Sequence, residues 1–391
     1  MPKDGWKIRI DDRRKHHWAP LSVDMAEGLS ADQMSRYSRH LVLPGVGLDG
    51  QKLMLDSSVI VVGAGGLGSP ALMYLAAAGI GRIGIIDNDL VSSSNLQRQI
   101  IHSNSSIGKP KVKSASKWIS GLNGDIDVVS INEKLVPSNS IEILSDFDII
   151  VDGTDNFESR YLIGDTCEIV GKPWVFGSIH RFEGQVSTFN LPGGPNYRDL
   201  FPTPPPPELA PNCSEAGVLG VLPGIIGTIQ ATEAIKAIIG VGDNLSGKLL
   251  TIDALSMESK LLSFSKNPDR EIVTSLGESE VQGFSEMEAV DFVERKEGGW
   301  KPFLLDVRRE DEQRIASISG TDVRIMHLEI PERLEELPRD RDIVVYCRVG
   351  QRSAAVARFI SESGWSSGRI FNLSGGIHRW SDVIDSTIIK Y

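Results

Sequence analysis

The sequence predicts an α/β protein: a doubly wound, mostly parallel sheet with an antiparallel extension, followed by a second, smaller α/β unit. Three observations carry this. A β-branched run at residues 58–62 meets a glycine-rich turn and then a helix-length apolar stretch ending at Gly79. Apolar runs of strand length then alternate with segments of helix length, the pattern that builds parallel sheets. The 391 residues also exceed what one hydrophobic core comfortably serves, so two domains are expected.

Residues 1–29 are charged, lack the apolar stretch of a signal peptide, and are expected to be a disordered extension. A helix is expected over 30–42, with Ser30 as its cap and Gln33 as the capping partner. Pro70 suits the first turn of the helix after the glycine turn, and Gly79 suits its end. Further strands are expected at 82–87, 125–131 and 148–152. Beyond Trp174, residues 173–178 and 184–190 read as consecutive antiparallel strands. Residues 191–211, with four prolines in a row at 204–207, read as an extended surface loop crossing the active site.

The apolar stretch 218–239 is interrupted by Pro223, Gln230, Glu233 and Lys236, so it predicts a buried helix rather than a membrane span. The polar segment 265–283 is expected to be a linker, dividing a first domain at 30–264 from a second at 284–391. The second domain has expected strands at 302–307, 342–347 and 369–373, with helical runs after Arg352 and Gly376.

A net charge of −11 argues against nucleic-acid or anionic-membrane binding. The three cysteines, Cys167, Cys213 and Cys347, stand far apart, which fits a reducing, cytoplasmic setting. No C-x-x-C pair is present for zinc.

The turn Gly63-Ala64-Gly65-Gly66-Leu67-Gly68 lets backbone N–H groups approach a phosphate chain at a helix N-terminus. Asp87, at the end of the next strand, is placed to accept hydrogen bonds from ribose hydroxyls. Taken alone, this Rossmann-like arrangement fits a nicotinamide cofactor as well as ATP. Arg98 and Lys111 lie just beyond, and nucleotidyl transfer needs such cations against developing oxyanions. Asp155 follows the fourth strand and offers a carboxylate for Mg²⁺ on phosphates.

From about residue 30 to 267 the chain resembles the ubiquitin-activating-enzyme-like adenylyltransferases that activate molybdopterin-synthase and thiamine sulfur carriers. The likeness rests on Arg36-Tyr37-Ser38-Arg39, the 63–68 turn, the stretch from Asp87 to Gln99, Pro110-Lys111-Val112, Thr154-Asp155-Asn156, Glu183-Gly184-Gln185 and the residues 231–236. It implies that Gly63, Gly65, Gly66 and Asp87 hold the nucleotide, Asn95, Arg98 and Lys111 the triphosphate, and Asp155 the magnesium. Arg39 resembles the family's arginine finger, which reaches the other subunit's site, so a homodimer is implied. The implied partner is a small ubiquitin-like sulfur carrier ending in Gly-Gly. The family often carries four zinc cysteines; the matching stretches here read Asn196-Tyr197-Arg198-Asp199 and Arg270-Glu271-Ile272-Val273, so no zinc is expected.

Cys347 follows the apolar run 343–346 and opens a loop, Cys347-Arg348-Val349-Gly350-Gln351-Arg352-Ser353, that leads into a helix. Such a loop aims N–H groups and a helix dipole at sulfur, favouring thiolate or persulfide. Residues 281–391 resemble the rhodanese sulfurtransferases, through Leu305-Asp306-Val307-Arg308, His327 before Pro331, the Cys347 loop, and Gly375-Gly376 before Trp380. The resemblance implies that Arg348, Gly350 and Arg352 bind an anionic sulfur donor such as thiosulfate, a cysteine desulfurase being the other implied donor. It also implies that Cys213, after the proline-rich loop, faces the activated carrier and resolves its adduct; Cys167 reads as core. Two alternatives stay open at this point: a nicotinamide- or flavin-dependent redox enzyme, and an adenylyltransferase with an idle rhodanese module.

Overall fold

The computed structural model describes residues 28–204, 217–276 and 283–391. Residues 1–27 of the expected disordered extension, 205–211 of the proline-rich loop, Cys213 and 277–282 of the expected linker lie outside these residues.

The first sheet contains β1 (Ser58–Val62), β2 (Arg82–Ile86), β3 (Asp127–Ile131), β4 (Ile149–Asp152), β5 (Trp174–His180), β6 (Glu183–Phe189), β7 (Lys248–Asp253) and β8 (Ser259–Ser263), in the order β3-β2-β1-β4-β5-β6-β7-β8. The pairs from β3 to β5 are parallel and those from β5 to β8 antiparallel. β1 is therefore the switch point, where the chain turns from one side of the sheet to the other and leaves a crevice at the strand ends.

Alternation along β1 shows why both faces are covered. Val59 and Val61 point into a core built with the helices Gly68–Ala78 and Leu222–Ile239, whereas Ile60 and Val62 point into the opposite core, with Ile163, Trp174 and Tyr197.

Residues 30–42 form two short helices, Ala31–Arg36 and Ser38–Leu41, rather than one. The Ser30–Gln33 capping box is present, and the break falls at Tyr37. Its ring is buried at Gly79, and its hydroxyl accepts from Asn123 Nδ2 at 2.8 Å. Burying that ring ends the first helix. Gly79 closes the helix Gly68–Ala78 in the left-handed region, at φ +85°.

Within the expected surface loop, Tyr197–Leu200 is a helical turn, and Tyr197 sits in the core against Tyr161, Trp174, Phe176 and Phe189. One aromatic in a polar, proline-rich stretch carries no periodic signal, which is why the sequence pattern hides it. Strands β7 and β8 were likewise not among the expected elements, because β8 is exposed along its whole length and shows no alternation.

The second sheet contains β9 (Ser285–Met287), β10 (Phe303–Asp306), β11 (Val323–Arg324), β12 (Ile343–Tyr346) and β13 (Ile370–Leu373), all parallel, in the order β11-β10-β12-β13-β9. The three expected strands are its centre. The two edge strands are too short to register as a pattern. No helix among the described residues is long and apolar enough to cross a membrane.

Candidate active site

The glycine turn brings three backbone segments into contact. Gly63 has φ +97°, and a Cβ there would stand 2.9 Å from the Gly153 carbonyl oxygen. A Cβ on Gly68 would stand 1.9 Å from the Gly63 carbonyl oxygen. Only glycine permits the end of β1, the end of β4 and the start of the helix Gly68–Ala78 to lie this close.

Asp87 fastens the turn from the β2 side. Its Oδ2 accepts from the Ala64 amide at 2.8 Å and its Oδ1 from the Asp89 amide at 2.8 Å. Lys111, nearly buried, bonds Asp89 Oδ2 at 2.7 Å and lies 3.8 Å from Asp87 Oδ2. Burial pushes the Asp87 carboxyl up from its ordinary value, with Lys111 and the two amides opposing.

Arg98, half-buried, stands over Gly66 and donates to the Ser94 carbonyl at 3.3 Å. Asn95 accepts from the Ser92 amide at 3.1 Å and so caps the 3₁₀ turn Ser93–Asn95.

Beyond β4, Asp152 is fully buried, and its Oδ1 accepts from the Thr154 amide at 2.8 Å and hydroxyl at 2.6 Å. Burial lifts this carboxyl to about 6, although Arg160 Nε lies only 3.9 Å from Oδ2. The Arg160 guanidinium lies over the rings of Phe157 and Phe176. Asp155 is exposed, and Asn156 caps the helix Phe157–Val170 by accepting from the Ser159 amide at 2.8 Å.

One cleft of about 1630 Å³ is lined by Gly63, Gly65, Gly66, Asp87, Arg98, Lys111 and Asp155, and from the second domain by Gly350 and Arg352. Asn95, Arg348 and Cys347 do not line it. Arg39 stands exposed on the helix Ser38–Leu41, outside the cleft. Gln99 and Arg160 also line the cleft without having been assigned a role from the sequence. Gln99 is 4 % exposed, lines the cleft, and its Oε1 has no hydrogen-bond partner. Its place beside Arg98 was the available signal.

In the second domain, Cys347 follows directly on β12 and is wholly buried. The Gly350 amide points at Sγ from 3.1 Å, and the Ser353 hydroxyl lies 3.4 Å from Sγ while donating to the Gly350 carbonyl at 3.0 Å. Gly350 caps the helix Gln351–Glu362 at φ +94°, so donors and helix N-terminus converge on the sulfur. Arg352 is held by Glu312 through both Nη atoms. Arg308, also buried, takes both oxygens of Asp306 and buttresses the strand beside Cys347.

The two stretches without zinc cysteines meet each other. Arg270 Nε bonds Asp199 Oδ1 at 2.9 Å, and its Nη2 bonds Glu168 Oε1 at 2.6 Å. Arg198 pairs with Asp165 at 2.6 Å. Asp199 also accepts from the amides of Asn196 and Asn267. A guanidinium at the junction and a carboxylate already saturated with donors do not suit a zinc ion, and no group of three or more His, Cys, Asp or Glu able to hold a metal occurs among the described residues.

Fold and site define a nucleotide-binding α/β domain joined to a thiol-loop domain. Residues 37–272 match the ThiF family and residues 288–383 the rhodanese-like domain, and the chain belongs to the ThiF family. It is 41% identical over 95% of its length to a probable adenylyltransferase/sulfurtransferase MoeZ of Mycobacterium tuberculosis, covering 99% of that protein. It is 39% identical over 94% of its length to the adenylyltransferase and sulfurtransferase MOCS3 of Arabidopsis thaliana, covering 88% of that protein. A crystal structure of E. coli MccB with ATP shares the fold, at 19% identity and a TM-score of 0.54 over 65% of this chain and 77% of that one. These likenesses class the chain as an adenylyltransferase/sulfurtransferase and lend nothing to the redox alternative.

Proposed function

We propose that the protein adenylates the C-terminal carboxylate of a ubiquitin-like sulfur carrier and then exchanges the adenylate for sulfur through Cys347. The observation that supports this most is the shared cleft, which has Arg98, Lys111 and Asp155 on one side and the Gly350–Arg352 edge of the Cys347 loop on the other. A sulfur carrier protein adenylyltransferase of Thermus thermophilus is 46% identical over 61% of this chain.

In the first step the carrier carboxylate attacks the α-phosphorus of ATP; one O–P bond forms, the bond to the β-phosphate oxygen breaks, and pyrophosphate leaves. Arg98 and Lys111 neutralise the charge that develops on the phosphate oxygens, and positioning supplies most of the rate. Asp155 would hold Mg²⁺, which would screen the same oxygens.

In the second step a Cys347 persulfide, loaded from a donor such as thiosulfate with release of sulfite, attacks the acyl carbon. AMP departs and an acyl disulfide remains. The Cys213 thiolate then attacks Cys347 Sγ, releasing the carrier thiocarboxylate and leaving a Cys213–Cys347 disulfide, which a cellular dithiol reduces.

We also assign Arg39 to the site of a second copy of the chain. It stands beside exposed Val42 and Leu43, and Tyr74 is exposed on the neighbouring helix Gly68–Ala78; such an apolar face suits a homodimer.

The test uses carrier-dependent ATP–pyrophosphate exchange and the mass of the carrier product. Arg98→Ala and Asp155→Ala should abolish exchange, while Cys347→Ala should keep exchange and lose the thiocarboxylate. Near-normal exchange in either of the first two, or thiocarboxylate from the third, overturns the reading.

A further inference from the structure

We propose that His102 is a positioning residue for the nucleotide site, a neutral imidazole that ties the crest of the glycine turn to the helix carrying Lys111. This rests on the nucleotide reading of the 63–68 turn given above.

His102 is 7 % exposed and makes two hydrogen bonds, with Nε2 2.9 Å from the Ala64 carbonyl oxygen and Nδ1 3.0 Å from Ser114 Oγ. A carbonyl can only accept, so Nε2 carries the proton. In the neutral ring Nδ1 then accepts from the Ser114 hydroxyl. A single tautomer satisfies both contacts.

The positions of the partners give the bonds their meaning. Ala64 lies in the glycine turn, with its amide already donating to Asp87. Its peptide groups are thus pinned from two sides, by Asp87 on the N–H and by His102 on the C=O. Gly65 and Gly66, the next two residues, line the cleft. Ser114 lies on the helix Lys111–Leu122, about one turn beyond Lys111 and on the same face. The His102 amide in turn donates to the Gln99 carbonyl at 3.1 Å, which closes the segment bearing Arg98 and Gln99. One side chain therefore sets the spacing of three segments that line the nucleotide cleft.

The surroundings favour the neutral ring. Burial holds the imidazole below its ordinary value; the Ala64 carbonyl opposes this, and the Lys111 ammonium adds to it. The other charges nearby, Asp87 and Asp89, are engaged by Lys111 itself. A pKa depressed in the organised state means that the stabilisation from burying a neutral ring is complete above the ordinary value near 6.5 and is lost as pH falls below it, where Nε2 still donates to Ala64 but Ser114 must turn to accept from Nδ1. Protonation would place a second cation beside Lys111 in a buried site.

The test is calorimetric titration of the full chain with Mg²⁺-ATP alone, from about pH 5.5 to about pH 8, alongside thermal melting. His102→Ala should weaken ATP binding about tenfold at neutral pH, the size of one buried hydrogen bond. His102→Gln, which keeps a donor for Ala64 but does not titrate, should recover most of the affinity and lose the acid-side weakening that the wild type shows. Ser114→Ala, a milder change in case His102→Ala does not fold, should weaken binding about threefold. Unchanged affinity in His102→Ala, or the same acid-side weakening in His102→Gln, overturns the role. Arg98→Ala is the control: if it binds ATP normally, the site reading itself fails, whereas loss of binding there with no effect at His102 sinks only this inference.

Discussion

Arg352 lies bidentate on Glu312, with Nη1 2.8 Å from Oε2 and Nη2 2.7 Å from Oε1, in the first turn of the helix that the Cys347 loop leads into. The Arg309 amide adds a third donor to the same carboxylate. Burial alone would raise the Glu312 carboxyl, but these donors and the charge of Arg352 bring it down to about 2. Its contribution to stability is complete above the ordinary value of 4.5 and fades as pH falls through about 2. Glu312→Gln should cost the second domain about 1.5–3 kcal/mol at neutral pH, with the gap to wild type closing in acid. Chemical unfolding at several pH values checks this.

Gly68→Ala places a methyl group 1.9 Å from the Gly63 carbonyl oxygen, a backbone atom with no rotamer to retreat to. Either the turn or the helix start has to shift. The expected result is loss of detectable ATP binding and a loss of about 1–3 kcal/mol in stability. Gly171→Ala is a useful contrast: that glycine is also at positive φ, but nothing stands within 4 Å, so ATP binding should be unaffected.

Arg270 joins Asp199 and Glu168 where the family's zinc cysteines are absent. Arg270→Met strands two largely buried carboxylates and should destabilise the first domain by about 3 kcal/mol. Adding Asp199→Asn and Glu168→Leu to it should recover much of that loss, because the charge imbalance disappears with the partners. A chelator should leave the melting temperature of the wild type unchanged. Stoichiometric zinc by elemental analysis, or a chelator-induced fall in melting temperature, would contradict this account.

Ser353→Ala removes the hydroxyl 3.4 Å from Cys347 Sγ and leaves the Gly350 amide in place. Thiosulfate-to-cyanide sulfur transfer should slow about tenfold, with adenylation untouched. An unchanged rate would mean that the amide alone supports the sulfur.

Much of the fold and part of the site can be read from the chain because they depend on local signals. The 63–68 turn, the strand before it and Asp87 after it are encoded within consecutive residues, as are Cys347 and its glycine-containing loop. What escapes is encoded between segments. His102 depends on a partner 38 residues away in the glycine turn, Glu312 on one 40 residues away, and Arg270 on Glu168 at a separation of 102. Tyr197 is buried by rings from four other places in the sequence. Charged and polar residues of this kind look like solvated surface until the fold supplies their partners.

The complete burial of Cys347 has a consequence for timing. Sγ has no exposed surface, whereas the outer sulfur of a persulfide stands about 2 Å from it along the S–S bond. On the proposed function, the loaded sulfur would then reach an acyl-adenylate more readily than the bare thiol, and an empty enzyme would form less of the dead-end thioester that a protruding thiol makes.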